Sequence, residues 1–485
     1  MNVRSGRSWL ASMVLVFAYL AWPGSARTEE NALSKADLDK QIQAADEAVR
    51  QNPTSAKAYV DRSLLLVKKQ ALESALTDLE EAIRLNQKYA RAYVGRGYVY
   101  GVNGQHDKAI LDLNRAIDLD PKDVNAFLYR GRARQMQGDV DKALADYNEA
   151  LQIDPKEAAV LYDRGTCFFK RGEFDRALQD FDAAIRLYPE HVDSFLCRGT
   201  IWMEQKQFDK ALEDFTEGIR FDPKVARAFV NRGAVWMKMD EIDKGLEDFN
   251  EAIRLDPAYA MAYNNRAGIW QLKQDVERAF ADLDEAIRLD PNLVLAYQNR
   301  GGLLLRQGDC EKAILDFTAA LRLKPQADTY ANRGRANEQI GKCDAAIADY
   351  TAMLKLNPND VYALMRRARI RACAPDAALR DGKLALADAR RACELSNWQD
   401  FVPIEILAAA YAESGDFENA VDWQLKVLKL VTENRRKSSV ALLSLFEQHK
   451  PFRFPRRDNA VVPAAARKAA DAGALNSAGR NRDNP

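Results

Sequence analysis

Residues 124–157 read VNAFLYRGRARQMQGDVDKALADYNEALQIDPKE. Apolar and small side chains recur at helical spacing in both halves, and Gln137-Gly138-Asp139 interrupts them. Asp139 or the residue after it is placed to cap a second helix. Asp154-Pro155 ends that helix, because proline disfavours an α conformation in the residue before it. The stretch therefore predicts helix A, a short turn, helix B and a proline-marked exit.

The same exit recurs along the chain. Pro121, Pro155, Pro189, Pro223, Pro257, Pro291 and Pro325 fall 34 residues apart. Pro53 fits the comb, Gln87 fills its one empty slot, and Pro358 comes one residue early. A fixed period of this length predicts a solenoid, in which each helix pair buries its apolar face only by stacking on its neighbours. The 485 residues are spent on repetition, and the product is a surface for binding.

Counting Val124 as position 1, position 8 is Gly97, Gly131, Gly165, Gly199, Gly233, Gly301 and Gly334 in successive repeats, with Ala267 in one. Position 20 is Ala in most repeats (Ala109, Ala143, Ala177, Ala211), and position 27 is as well (Ala116, Ala150, Ala184). Position 4 is aromatic (Tyr93, Phe127, Phe195, Phe229), and so is position 24 (Tyr147, Phe181, Phe215, Phe249). A mid-helix glycine costs about 1 kcal/mol relative to alanine, so its recurrence implies a steric demand. This pattern resembles the tetratricopeptide repeat family over residues 35–434. The resemblance implies an all-α solenoid, a right-handed superhelix of antiparallel helix pairs with helix A lining a concave groove. The expected organisation is a signal peptide at 1–26, a linker and N-terminal capping helix at 27–55, and nine tandem repeats at 56–360. Two divergent repeats follow at 361–434, then a capping helix at 435–449 and a basic disordered tail at 450–485.

Position 7 is Arg in ten successive repeats, from Arg62 to Arg367, and position 23 is Asp in the same ten, from Asp78 to Asp388. The last repeat has Leu407 and Trp423 instead. An Arg–Asp pair across each A–B interface is the expected reading, since guanidinium and carboxylate meet in bidentate fashion. The competing reading is a basic stripe for an anionic ligand.

Arg4 and Arg7, the apolar run Trp9 to Trp22 and the small residues Gly24-Ser25-Ala26 form the three parts of a secretory signal peptide, with cleavage after Ala26. The expected location is exported, periplasmic or secreted, and the alternative is an N-terminal membrane anchor. The mature chain is expected to carry no transmembrane span. Lys+Arg and Asp+Glu both number 71, so no global basic charge favours nucleic acid. Residues 450–485 carry eight Lys or Arg against three Asp, which suits weak contact with anionic surfaces. The six cysteines show no metal-ligand spacing, and buried cysteine behaves as a small hydrophobe. The three histidines, His106, His191 and His449, have no Cys or His partner at ligand spacing. No hydrolase, metalloprotease or phosphate-loop motif occurs, so no catalytic, metal or cofactor residue is assigned and no cofactor is expected.

In the family arrangement, positions 2, 5, 9, 12 and 13 of helix A face the groove. Carried over, these implicate Leu128, Tyr162, Phe169, Leu196, Met203, Val230, Met237, Gln271 and Leu305 in binding a peptide or partner helix. Position 6 is Asn in Asn231, Asn265, Asn299 and Asn332, but the Lys set of a carboxylate clamp is missing from position 5. The ending, with DGKLALADARRACELSNWQ and QHKPFRFP, resembles exported planctomycete-type repeat proteins. The function expected is a non-enzymatic scaffold or adaptor outside the cytoplasm. The alternatives are a chaperone-like holder of exported chains and a non-catalytic subunit of an envelope enzyme complex.

Overall fold

The structure is a computed structural model that describes residues 35–455. The expected signal peptide at 1–26, the first residues of the linker and the tail beyond residue 455 lie outside it. The chain forms two compact units, one ending at Asn265 and one beginning at Arg266. Among the described residues the regular structure is helical, with no strand and no helix long and apolar enough to cross a membrane.

In the N-terminal unit α1 (Lys35–Gln51) precedes six hairpins. These are α2 (Ala56–Lys68) with α3 (Leu72–Leu85), α4 (Ala90–Val102) with α5 (His106–Leu119), and α6 (Val124–Met136) with α7 (Val140–Ile153). Then come α8 (Ala158–Lys170) with α9 (Phe174–Leu187), α10 (Val192–Glu204) with α11 (Phe208–Phe221), and α12 (Ala226–Lys238) with α13 (Ile242–Leu255). The division between units falls within α14 (Ala260–Leu272). The C-terminal unit continues with α15 (Val276–Leu289), α16 (Val294–Gln307) with α17 (Cys310–Leu323), and α18 (Ala327–Gln339) with α19 (Cys343–Leu356). It ends with α20 (Val361–Cys373) and α21 (Gly382–Leu395), α22 (Phe401–Glu413) and α23 (Phe417–Leu430), and α24 (Glu433–Glu447). Within each unit the hairpins pack on one another in series, as in an all-α tetratricopeptide-type solenoid.

Local chemistry sets the ends of these helices. Asp139 accepts from the Lys142 N–H and so caps α7. At the exit, Asp154 turns extended and its Oδ1 accepts from the Lys156 N–H at 2.9 Å, across Pro155. The same turn recurs at Asp120, Asp222, Asp256 and Asp290. Between helices A and B one residue takes positive φ, and it is glycine at Gly104, Gly138, Gly172, Gly308, Gly341 and Gly415.

The glycine at position 8 has its steric reason. A Cβ on Gly131 would lie 2.5 Å from Tyr147 Cε1, and one on Gly233 would lie 2.7 Å from Phe249 Cε1. The ring at position 24 fills the space a methyl would need, and Tyr147 and Phe249 are fully buried. The repeats that lack glycine at position 8 also lack the aromatic at 24. Ser63 goes with Leu79, Ala267 with Leu283, Ala368 with Ala389 and Ala408 with Gln424. Gly97 with Leu113 is the one departure.

All ten Arg–Asp pairs form. In each, Arg Nη2 donates to Asp Oδ1 at 2.6–2.9 Å, and Nε donates to the same carboxylate. The Asp side chains are nearly enclosed, and the Arg stems lie half-buried. The pairs therefore build the hairpins and do not offer a basic stripe.

The arginines also do something the sequence reading missed. Their Nη1 reaches back to position 25 of the preceding helix B. Arg62 meets Asp46, Arg130 Asn114, Arg198 Asp182, Arg300 Asp284 and Arg367 Thr351. Each of these guanidinia thus joins its own hairpin to the helix before it. Asp46 lies on α1, so that lone helix supplies the acceptor a preceding helix B would supply. At the other end α24 covers the last hairpin with Phe446, which is fully buried, and with Leu442 and Leu445. Val440 on the same helix is exposed.

Candidate partner-binding site

The ladder fixes helix A on helix B through positions 7, 8, 23 and 24. That leaves positions 2, 5, 9, 12 and 13 of helix A for neighbouring A helices or for a partner. In the N-terminal unit, position 5 goes mostly to neighbours. Leu128 and Tyr162 join one apolar cluster, and Leu196 joins the next. Met203 at position 12 belongs to that second cluster, while Val230 and Met237 are 1% exposed. In the C-terminal unit Leu305 packs with Leu304 and Phe317. Seven of the nine groove residues expected from the sequence are therefore buried between helices. Phe169 keeps accessible surface while packing on Phe174, with ring centroids 5.8 Å apart. Gln271 also keeps some, and its Oε1 accepts from Arg306. Asn231 and Asn265, at position 6, are buried as well.

The N-terminal unit carries a polar network among these apolar contacts. Arg132 donates to Asp163, Gln135 to Thr166 at 3.0 Å, and the Tyr147 hydroxyl to Gln135 at 2.8 Å. Arg227 pairs with Asp193. His191 caps α10 through Nδ1, which accepts from the Ser194 N–H, and its ring meets the edge of Tyr162 at 4.9 Å. Burial pushes the His191 imidazole down to about 4, and the positive charges of Arg132 and Arg227 add to the effect. The Cys197 thiol lies 3.9 Å from the Tyr162 hydroxyl, and burial pushes it up to about 12. It is an inert thiol, as are Cys167, Cys373 and Cys393, each likewise pushed up to about 12. Among the described residues no group of three or more His, Cys, Asp or Glu is arranged to hold a metal ion.

The C-terminal unit differs, because the helix A face of α20 and α22 is already occupied. After α24, His449 stacks on Phe417 and the chain turns back across α20 and α22. The Phe454 N–H donates to the Cys373 carbonyl at 2.9 Å. Arg453 Nη1 donates to the Ala372 carbonyl at 3.2 Å, and its guanidinium pairs with Glu413. Phe452 and Phe454 pack on an alanine-rich floor that includes Ala372, Ala409 and Ala412. These floor residues hold positions 12, 9 and 12, and Cys373 and Glu413 hold position 13. The basic segment read from residue 450 thus begins with residues that lie against the repeats. The two phenylalanines in QHKPFRFP were the signal for this contact.

Beside this segment the face is basic. Arg366 donates to Glu338 through Nε and Nη2, at 2.9 and 2.6 Å, and the Tyr350 hydroxyl donates to the same carboxylate. Arg369 lies over the Phe454 ring, 4.9 Å from its centroid. Burial and the neighbouring Arg366 lower the pKa of Arg369.

These features define a class: an all-α repeat protein whose hairpins are joined by a built-in ion-pair ladder, with helix A left for contact. Family models described as tetratricopeptide repeat match residues 94–158, 137–198, 237–294 and 299–361, and one described as TPR repeat matches 63–104. Together they span more than half of the chain, which belongs to the tetratricopeptide repeat family. A search of the curated proteins gives no match. Among solved structures, the chain is similar to a tetratricopeptide repeat protein from Parabacteroides merdae ATCC 43184 at 23% identity. That match covers 52% of this chain and 99% of the other, with a TM-score of 0.45. It is also similar to YrrB, described as a TPR protein with an unusual peptide-binding site, at 26% identity, 39% and 96% coverage and a TM-score of 0.31. A third is the APC/C hetero-tetramer Cut9-Hcn1, at 18% identity, 77% and 87% coverage and a TM-score of 0.43.

Proposed function

We propose that this chain is a non-enzymatic protein-interaction scaffold that acts outside the cytoplasm and binds an extended peptide or partner helix on its A helices. One observation carries the reading. In the C-terminal unit, positions 9, 12 and 13 of α20 and α22 already hold an extended segment through backbone, ionic and aromatic contacts. A partner's extended segment on the equivalent positions of other repeats is the mode of binding this contact supports. In the N-terminal unit the contact would run over Phe169 and the exposed Lys170, with the buried position 5 residues supporting the surface from beneath. Export rests on the basic start, apolar run and small-residue site of residues 1–26.

Crosslinking on intact cells with a membrane-impermeant reagent, followed by mass spectrometry, tests both parts. One or a few partners should be captured at near-stoichiometric yield. The Phe169→Asp/Lys170→Glu variant should lower that yield at least tenfold with helicity unchanged. An absence of crosslinks on intact cells but not on lysed ones would refute the location. Unchanged capture by the variant would move the contact away from α8.

A further inference from the structure

We propose that the face of α20 and α22 is a binding site for aromatic–basic–aromatic peptide segments of a partner protein, and that residues 452–454 occupy it in cis as a displaceable internal ligand. This rests on the scaffold reading and names the chemistry of one of its sites.

The site is built for that chemistry. The carbonyls of Ala372 and Cys373 belong to the last turn of α20, where no intrahelical N–H remains to meet them. Phe454 N–H and Arg453 Nη1 satisfy them. The negative end of a helix favours a cation there. Glu413 adds a formal charge, held in place by Arg380, whose Nε donates to Oε1 at 3.0 Å. The alanine floor of α20 and α22 leaves room for rings, and Phe452 and Phe454 meet edge to face with centroids 6.0 Å apart. A hydrophobic residue on each side of a base, in an extended backbone, satisfies every element of this surface.

The internal segment is only partly enclosed. Among the described residues one main-chain hydrogen bond joins it to α20, and Phe452, Arg453 and Phe454 all stay partly exposed. Its tether to α24 supplies a high effective concentration, which a free peptide must overcome. A partner that presents several such contacts at once displaces it.

The test uses the full chain and a labelled synthetic peptide, QHKPFRFPRR, followed by fluorescence anisotropy. A Phe452→Ala/Arg453→Ala/Phe454→Ala variant should bind the peptide at least tenfold more tightly than the native chain. A peptide with Glu in place of its Arg453 equivalent should bind the variant at least tenfold more weakly. Adding Glu413→Ala to the variant should cause a similar loss. No binding to the variant, or equal affinity for variant and native chain, overturns the proposal. Should the variant lose helicity, hydrogen exchange on the native chain decides. The Phe454 amide, which is bonded to the Cys373 carbonyl, should exchange at least tenfold faster than the interior of α22, and equally slow exchange makes the segment a fixed cap. A native dimer that exchanges this segment between copies would assign the site to a second copy and overturn the partner claim. Failure here leaves the Phe169 crosslinking result standing, so the two readings fail separately.

Discussion

Replacing Gly233 by alanine should destabilise the N-terminal unit, although alanine is the better helix former. Propensity alone predicts a gain of about 1 kcal/mol. Against it, the new Cβ would lie 2.7 Å from Phe249 Cε1, 3.0 Å from Cδ1 and 3.2 Å from the Asp248 Cβ. The ring is fully buried, and Asp248 is locked to Arg232 at both carboxylate oxygens. Neither neighbour can move without loss, and overpacking of this kind costs about 1–3 kcal/mol. The net effect expected is a loss of about 1 kcal/mol. Phe249→Leu alone should cost about 1–2 kcal/mol through the cavity it leaves. The double variant reproduces the Ala267 and Leu283 combination found elsewhere in the chain, and it should be no less stable than Phe249→Leu. Urea unfolding followed by tryptophan fluorescence, to which Trp236 on the same helix as Gly233 contributes, measures all three. A stabilised Gly233→Ala, or a double variant whose loss equals the sum of the single losses, would refute the steric account.

Asp214→Ala leaves the half-buried Arg198 with Asp182 as its remaining carboxylate partner and should cost about 3 kcal/mol, since breaking a buried pair is far worse than replacing it. Arg198→Met/Asp214→Leu should cost less than that single change in the same urea assay, and an equal or larger loss would show that the pair itself carries net stability. His191 gives the pH dependence. Its folded pKa is depressed to about 4 from 6.5, so the neutral ring is the form that the fold accepts. The stability it contributes is complete above pH 6.5 and is lost as pH falls towards 4, by about 3 kcal/mol in total. His191→Asn, which keeps a cap at α10, should flatten the difference in urea midpoint between pH 7 and pH 4.5, and an unchanged slope would clear His191 of that role.

The repeat architecture was legible because it is written in sterics and charge that recur at fixed spacing. Gly131 opposite Tyr147, and Arg130 with Asp146, are each readable once the period of 34 is found. The link to position 25 was not readable. Its acceptor is Asp182 in one repeat, Asn148 in another and Thr216 in a third, and only the shared ability to accept a hydrogen bond unites them. The groove was legible as positions but not as surface. Leu196 was expected to face a partner, yet α10 packs against both α8 and α12, and an apolar residue between such helices is consumed by packing. The docked segment escaped notice because its two phenylalanines stand in a stretch that composition marks as solvated.

The guanidinium ladder has an implication for how such a chain can grow. Arg130, Arg164 and Arg198 each lie 16 residues after one partner and 16 before the other. Duplicating or deleting a whole period restores both distances, so copy number can drift at little energetic cost. Gaining or losing a few residues inside a helix breaks two contacts at once. The tolerated irregularities fall where the chain can absorb them: the early Pro358 follows a repeat whose Arg333 reaches Thr318 at a spacing of 15, and Arg367 reaches Asp388 across the inserted turn. The ladder thereby acts as a reading frame for gene duplication, admitting complete hairpins and rejecting fractions of one.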